Sequence, residues 1–292
     1  MKQTFLLLFS AAALLTSCEK DALVSEKKEL TLDLESSMNS MNNMQGNTYY
    51  GDYVEMGEGL ARTYVKATRD GRPIAVGVEF NHDAMMGYDM HSGHNMEGEG
   101  DEHEHESGNT FLIPFPRNMM VNMPYSHVSV DWAAVGHGPG GIYDIPHFDV
   151  HFYIVSPDTQ NNIMMDIAYP SPSGSPFDAS PIPAVPQSYF PGPFVPMMGT
   201  HWISKKAPEF NGSRFTHTFI YGTHANKLVF FEPMVTVETF MSMKEIKTPI
   251  EQPLEYPTTG KYYAKQYSIS YDRSKMTHNV QMDNFFLPEK RK

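Results

Sequence analysis

The sequence predicts an all-β fold, either a sandwich or a barrel-like single domain, with long loops and few short helices. The chain is rich in aromatic residues that favour strands, with 18 Phe and 16 Tyr. Its 22 Pro and 21 Gly divide it into short segments, which is typical of strands joined by turns. Long stretches with the periodicity of an amphipathic helix are few.

The predicted elements follow one another along the chain. Residues 61–67 and 74–80 have strand composition, and Asp70-Gly71 between them is a hairpin signal. Residues 222–226 are expected to form a second hairpin loop, and residues 159–167 a short helix. Further strands are predicted at 111–115, 126–132, 147–155, 214–221, 227–240 and 261–271.

Residues 1–17 are typical of a secretory signal peptide. Lys2 provides a basic start, and the apolar run 5–15 is shorter than the roughly 20 residues that span a bilayer. The run ends in Leu-Thr-Ser-Cys, and Cys18 is the only cysteine of the chain. This ending resembles the lipobox of bacterial lipoproteins, which implies that Cys18 is lipidated, with palmitate among its acyl chains, and becomes the mature N-terminus. A plain secretory leader with an incidental cysteine is the alternative.

The resemblance implies a cell-envelope protein that is anchored to a membrane by its N-terminal lipid and faces the periplasm or the exterior. Glu19 follows the lipid site in place of the aspartate that often signals inner-membrane retention, which favours the outer membrane. The net charge of −12 argues against a nucleic-acid partner. Because no second cysteine exists, stability outside the cytoplasm has to come from packing or from a bound metal.

The mature chain divides into a tether and one domain. Residues 18–48 are polar and of mixed charge, which suits a flexible stalk, although a short amphipathic helix near residues 30–41 is an alternative. Residues 49–292 form the predicted β-rich domain. It contains an acidic Met/His-rich loop at 82–109 and a Pro-rich loop at 169–196, and loops of this length inside a domain are either functional or disordered.

The densest group of chemically active residues lies on the predicted strand 147–155. His147, Asp149 and His151 alternate with Phe148, Val150 and Phe152, so the three polar side chains share one face. Neighbouring members of the trio lie about 6.6 Å apart along a strand and can share an ion, whereas His147 and His151 lie about 13 Å apart. We therefore expect Asp149 to pair with one of the two histidines, unless a bend shortens the strand.

Two residues further along the chain can complete a metal site. His201 follows the Pro-rich loop, and Glu232 lies in the most apolar run of the chain, where a carboxylate needs a partner. Imidazole and carboxylate ligands suit a divalent transition metal such as Zn, Fe, Mn or Cu. A buried polar network that only holds the sheets together, or metal-free acid–base catalysis, would explain the same residues. His127 and His137 are weaker candidates.

The Met/His-rich loop is a second candidate metal site. Its residues Met90, His91, His94, Met96, His103 and His105 combine thioether and imidazole groups, which suit copper outside the cytoplasm. If the protein captures copper in the envelope, this loop would be its metal-binding site. A solvated acidic insertion is the alternative, because His-rich composition alone identifies no site. No nucleophile, P-loop or dinucleotide motif is present, so whether the protein is an enzyme stays open, as does a purely structural role in the envelope.

Two resemblances extend this interpretation. Gly141 followed by His147-x-Asp149-x-His151 loosely resembles the first metal motif of cupins, with Asp149 where cupins carry a second histidine. Residues 48–240 are similar to an uncharacterised bacterial family, a domain of unknown function whose structural example is a hypothetical protein of a thermophile. The motifs that carry this similarity include Pro146-His147-Phe148-Asp149-x-His151, Met198-Gly199-x-His201-Trp202 and Phe231-Glu232-Pro233-Met234. The family implies a β-rich secreted or periplasmic domain without an established activity.

Overall fold

The first of two antiparallel sheets contains the two ends of the described chain. The structure is a computed structural model that describes residues 46–88, 110–164 and 184–289. All of these except Gly46 belong to one compact unit, Asn47–Lys292. The strands of this sheet are β1 (Asn47–Tyr50), β2 (Val54–Met56), β3 (Gly59–Ala67), β4 (Pro73–Asn81), β12 (Ile246–Pro249), β13 (Tyr263–Asp272) and β14 (Thr277–Phe286). Their order is β1-β3-β4-β14-β13-β12, with β2 also paired to β3.

The second sheet contains the central part of the chain. Its strands are β5 (Thr110–Pro114), β6 (His127–Ala133), β7 (His147–Tyr153), β8 (Tyr189–Val195), β9 (Gly199–Ser204), β10 (His217–His224) and β11 (Lys227–Thr236). Their order is β5-β6-β7-β11-β10-β9-β8. The two sheets pack as a sandwich and do not close into a barrel, which confirms the predicted fold class. No helix in the described ranges is both long and apolar enough to cross a bilayer.

Both predicted hairpins are present. The turn that contains Asp70 and Gly71 joins β3 to β4, and Gly71 takes a φ of 81° there. Ala225 and Asn226 join β10 to β11 with φ values of 50° and 60°, the positive pair that a two-residue type I′ turn requires. The tight second turn places β10 directly beside β11, the strand that carries Glu232.

The alternation predicted for β7 is confirmed. Phe148, Val150 and Phe152 are fully buried in the core between the two sheets. The opposite face of β7 is covered by a second, smaller apolar cluster that includes Tyr143, Phe215 and Phe230. His147, Asp149 and His151 therefore lie on the outer face of the second sheet, buried beside this second cluster rather than in the core between the sheets.

Some predicted element boundaries were wrong. The run 227–240 is not one strand, because the Thr236 side chain accepts a hydrogen bond from the Thr239 backbone N–H and starts the helix α2 (Val237–Met241). The predicted helix at 159–167 is the shorter α1 (Pro157–Asn161). Part of the Pro-rich loop forms β8, where an edge position tolerates proline because no N–H is needed on the free side.

Candidate metal centre

One group of potential ligands joins the start of β7 to the loop before it. The Nε2 atoms of His137 and His147 lie 3.1 Å apart. Asp149 Oδ2 lies 3.2 Å from His137 Nε2, and Asp149 Oδ1 lies 3.2 Å from His147 Nε2. A tetrahedral ion with bonds of 2.0–2.1 Å requires ligand atoms about 3.3 Å apart. Each of these three separations is therefore close to the ligand–ligand distance in such a coordination sphere, with the two histidines facing different oxygens of Asp149.

The Nδ1 atoms of both rings in this group already form hydrogen bonds. His147 donates its Nδ1–H to the carbonyl of Ile145 at 2.6 Å, and His137 donates its Nδ1–H to the carbonyl of Gly138 at 2.9 Å. In the neutral rings Nε2 is therefore the unprotonated atom. Metal-binding histidines in proteins are commonly oriented by a hydrogen bond of this kind from the second nitrogen.

The second group lies on the same sheet face, one step further along β7. His151 Nε2 is 3.6 Å and His201 Nε2 is 3.8 Å from Glu232 Oε2. The register of β7 against β11, in which Phe152 faces Phe231 and Asp149 faces Met234, brings Glu232 beside His151. These two distances to Glu232 Oε2 exceed the 3.1–3.2 Å separations of the first group, so the second group is the wider arrangement.

In the second group each Nδ1 also lies next to an oxygen atom. His201 donates Nδ1–H to the carbonyl of Pro193 at 3.3 Å. His151 Nδ1 lies 2.9 Å from Asp131 Oδ2, a short contact whose angle is not that of an aligned hydrogen bond. Asp131 is itself held by the hydroxyls of Thr110 and Ser129. A carboxylate behind an imidazole raises the basicity of the nitrogen that faces the metal.

Two carboxylate oxygens of the centre lack hydrogen-bond donors. Within the described part of the chain, no donor reaches Asp149 Oδ1 or Glu232 Oε2, and both atoms are buried. A buried charged group without a hydrogen-bond partner costs roughly several kcal/mol. Buried carboxylate oxygens therefore usually have a partner. A cation beside the Nε2 atoms of either group would provide that partner for the carboxylate oxygen of the same group.

Electrostatics within the centre reflect burial and mutual attraction. Burial alone would raise the pKa of Asp149, but the adjacent His147 and His137 hold that pKa well below its usual range. Burial would lower the pKa of His137, yet Asp149 raises it to about 9. Burial and the neighbouring His151 lower the pKa of His201 to about 3, so this ring is neutral.

In the second group, burial raises the pKa of Glu232, and the charge of Asp149 adds to this effect while His151 opposes it. Glu232 and Asp131 together raise the pKa of His151 to about 9 against the opposing effect of burial. Residues of both groups shift the pKa of Glu232, so the two groups lie close enough to interact electrostatically.

All five residues predicted for the core site lie in the centre, but they divide into two groups. Asp149 pairs with His147 and not with His151, as the spacing along the strand indicated. His137, a weaker candidate in the sequence, completes the first group. His127 belongs to neither group, because its Nε2 contacts Gln160 Oε1 at 2.6 Å and its ring stacks on Tyr153.

Asp131 was not predicted as part of the site. The signal that could have found it is the antiparallel pairing of β6 with β7, which places Asp131 opposite Asp149 and Ser129 opposite His151. The remaining predicted site residues lie outside the described residues. They are Cys18, Met90, His91, His94, Met96, His103 and His105.

We compared the chain with protein-family models, with curated proteins and with solved structures, and none of these comparisons gave a match.

Proposed function

We propose that this protein binds a divalent transition metal, Zn, Fe, Mn or Cu, through the buried centre on the outer face of the second sheet. One observation carries the proposal. Four imidazoles, each with Nδ1 next to an oxygen atom, turn Nε2 towards two carboxylates whose inner oxygens have no donor among the described residues. Nitrogen and oxygen donors of this kind suit all four metals.

Protons alone satisfy the first group poorly. One added proton on His137 Nε2 would bond to Asp149 Oδ2, but His147 Nε2 and Asp149 Oδ1 would still face each other as two acceptors 3.2 Å apart. A proton on each ring would place two cationic nitrogens 3.1 Å apart. A single divalent ion bonds both nitrogens and the carboxylate at once, so this geometry favours a metal over a purely structural network.

The test is elemental analysis of the full chain, purified without a histidine tag, for the wild type and for His147→Ala. The matched control is His127→Gln, which alters an equally buried histidine on the same face but outside both groups. We expect bound metal in the wild type and in the control, and less bound metal in His147→Ala than in either.

Absence of metal from the wild type, both as purified and after reconstitution with Zn, Fe, Mn and Cu, would overturn the proposal. The six residues would then be a structural network, and their substitution would lower the melting temperature without any effect of added metal. Metal that is retained by His147→Ala at the wild-type level would contradict a role for the first group.

We further propose that the protein is a lipoprotein of the bacterial cell envelope, anchored through Cys18. The support is the order of features in residues 1–18: a basic start, a short apolar run and a Leu-Thr-Ser-Cys ending. The test is metabolic labelling with a fatty-acid analogue, followed by membrane fractionation, for the wild type and for Cys18→Ser. Label that appears in the wild type but not in Cys18→Ser would support lipidation. An unlabelled wild type would overturn the proposal of a lipid anchor.

A further inference from the structure

We infer that the centre holds two metal ions at once, one in each group, and that the two ions differ in their access to solvent. This inference rests on the proposed metal binding and extends it. The two groups share no residue, since His137, His147 and Asp149 form one and His151, His201 and Glu232 form the other. Each group has three ligand atoms of its own, the number that metal sites with an open coordination position use.

A single ion shared by all six residues does not fit the geometry. His147 and His151 are four residues apart on one strand, which separates their Cα atoms by about 13 Å. Their Nε2 atoms turn to different carboxylates, His147 to Asp149 and His151 to Glu232. Metal–ligand bonds of about 2 Å cannot reach both sets of donors from one point.

The charge of the site is compatible with two ions. Asp149 and Glu232 each contribute a carboxylate in direct reach of an ion, and Asp131 adds a third behind His151. Two divalent ions would carry four positive charges against these three negative ones. The buried Oε2 of Glu232, which has no hydrogen-bond donor among the described residues, would thus gain a cationic partner.

The two groups differ in exposure. The side chain of His137 is 36% exposed, while that of His147 is fully buried. In the second group no side chain is more than 11% exposed. Phe230 closes this group, with its ring 4.7 Å from that of His151 and 5.1 Å from that of His201. Tyr153 stacks on His151 with its ring 5.7 Å away, and it also packs against Phe230.

Consequently, the ion in the first group is the exchangeable one and has its open coordination position on the solvent side, beside His137. Water, or a small anion that can ligate a metal, is the chemical class of ligand that this position would take. The ion in the second group is enclosed by aromatic rings and is retained.

The test uses the full chain loaded with Zn²⁺ and then challenged with an excess of a coloured chelator. We expect two equivalents of zinc per chain in the wild type, released in a fast and a slow phase of one equivalent each. His147→Ala should lose only the fast phase, and His201→Ala only the slow phase. His127→Gln should keep both phases.

The outcomes separate the inference from the proposed function. One equivalent in the wild type, removed equally by His147→Ala and His201→Ala, would overturn the two-ion centre and leave metal binding intact. No bound zinc at all would overturn both. The wild-type stoichiometry needs no variant, so the inference stays testable if either variant fails to fold. Circular dichroism identifies such a failure, and Asp149→Asn and Glu232→Gln then replace the two histidine variants.

Discussion

His137 and His147 bring their Nε2 atoms to 3.1 Å of each other although one lies in a loop and the other begins a strand. Each ring donates its Nδ1–H to a backbone carbonyl, so these two hydrogen bonds fix the orientations of both rings. The contact depends on how the chain turns after β6. There Gly136 has a φ of 73°, and the His137 N–H bonds to the Tyr143 carbonyl, which folds the loop back towards β7.

We predict that Gly136→Ala removes the ion of the first group. A Cβ at this position would lie 1.9 Å from the Tyr143 carbonyl oxygen, and the positive φ disfavours any side chain. The loop that carries His137 would therefore have to move. The control is Gly140→Ala in the same loop, because a Cβ there meets no atom within 4 Å. Zinc stoichiometry is the measurement, and equal metal content in the two variants would contradict the prediction.

Gly222 on β10 leaves the space that the Phe230 ring occupies beside the second group. Its Cβ would lie 2.0 Å from the Phe230 ring, which packs against His151 and His201. Gly222→Ala should displace this ring, lower the free energy of unfolding by about 1–3 kcal/mol, and speed the release of the enclosed ion. Urea unfolding and chelator kinetics measure the two effects. Unchanged slow-phase kinetics would show that Phe230 does not control access.

Asp131→Asn should weaken metal binding in the second group without removing a ligand. The amide retains the shape of the side chain but not the charge behind His151 Nδ1. Loss of such a supporting carboxylate typically lowers metal affinity roughly 10–100-fold. Competition with a chelator of known affinity measures the change, with the exposed Asp158→Asn as the control. A weakening of both groups, or of neither, would argue against this role.

Part of this arrangement could be predicted from the sequence because it follows from local periodicity. The alternation in His147-x-Asp149-x-His151 determines that the three side chains share a face, and the apolar residues between them determine which face enters the core. Glu232 was recognisable because a carboxylate inside an apolar run needs a partner. These signals depend only on neighbours in the chain.

The division into two groups could not be predicted, because it depends on pairings between distant segments. Asp131 reaches His151 through the register of β6 against β7, and His137 reaches Asp149 through a turn whose direction Gly136 sets. Pro233 also breaks a general expectation, since it lies in β11 between β7 and β10, where proline is rare. Tertiary context outweighs the local signal at this position.

A further pH effect is expected from His278 on β14, which lies far from the candidate metal ligands in the sequence. Its ring is 1% exposed and lies among Phe80, Phe240 and Tyr271, and its Nε2 has no partner in the described part of the chain. Burial, with a smaller contribution from the charge of His82, lowers the pKa of His278 from 6.5 to about 4. The folded protein therefore keeps this ring neutral where the unfolded chain already protonates it.

The sign of the pH effect follows from this difference. As the pH falls from 6.5 towards 4, His278 binds a proton in the unfolded state but not in the folded state. The free energy of unfolding therefore decreases. The full shift corresponds to about 3 kcal/mol. Urea unfolding at a series of pH values should show this loss in the wild type, and His278→Phe should reduce it by that amount. Parallel curves for the two proteins would mean that the pKa of His278 is the same in the folded and the unfolded chain.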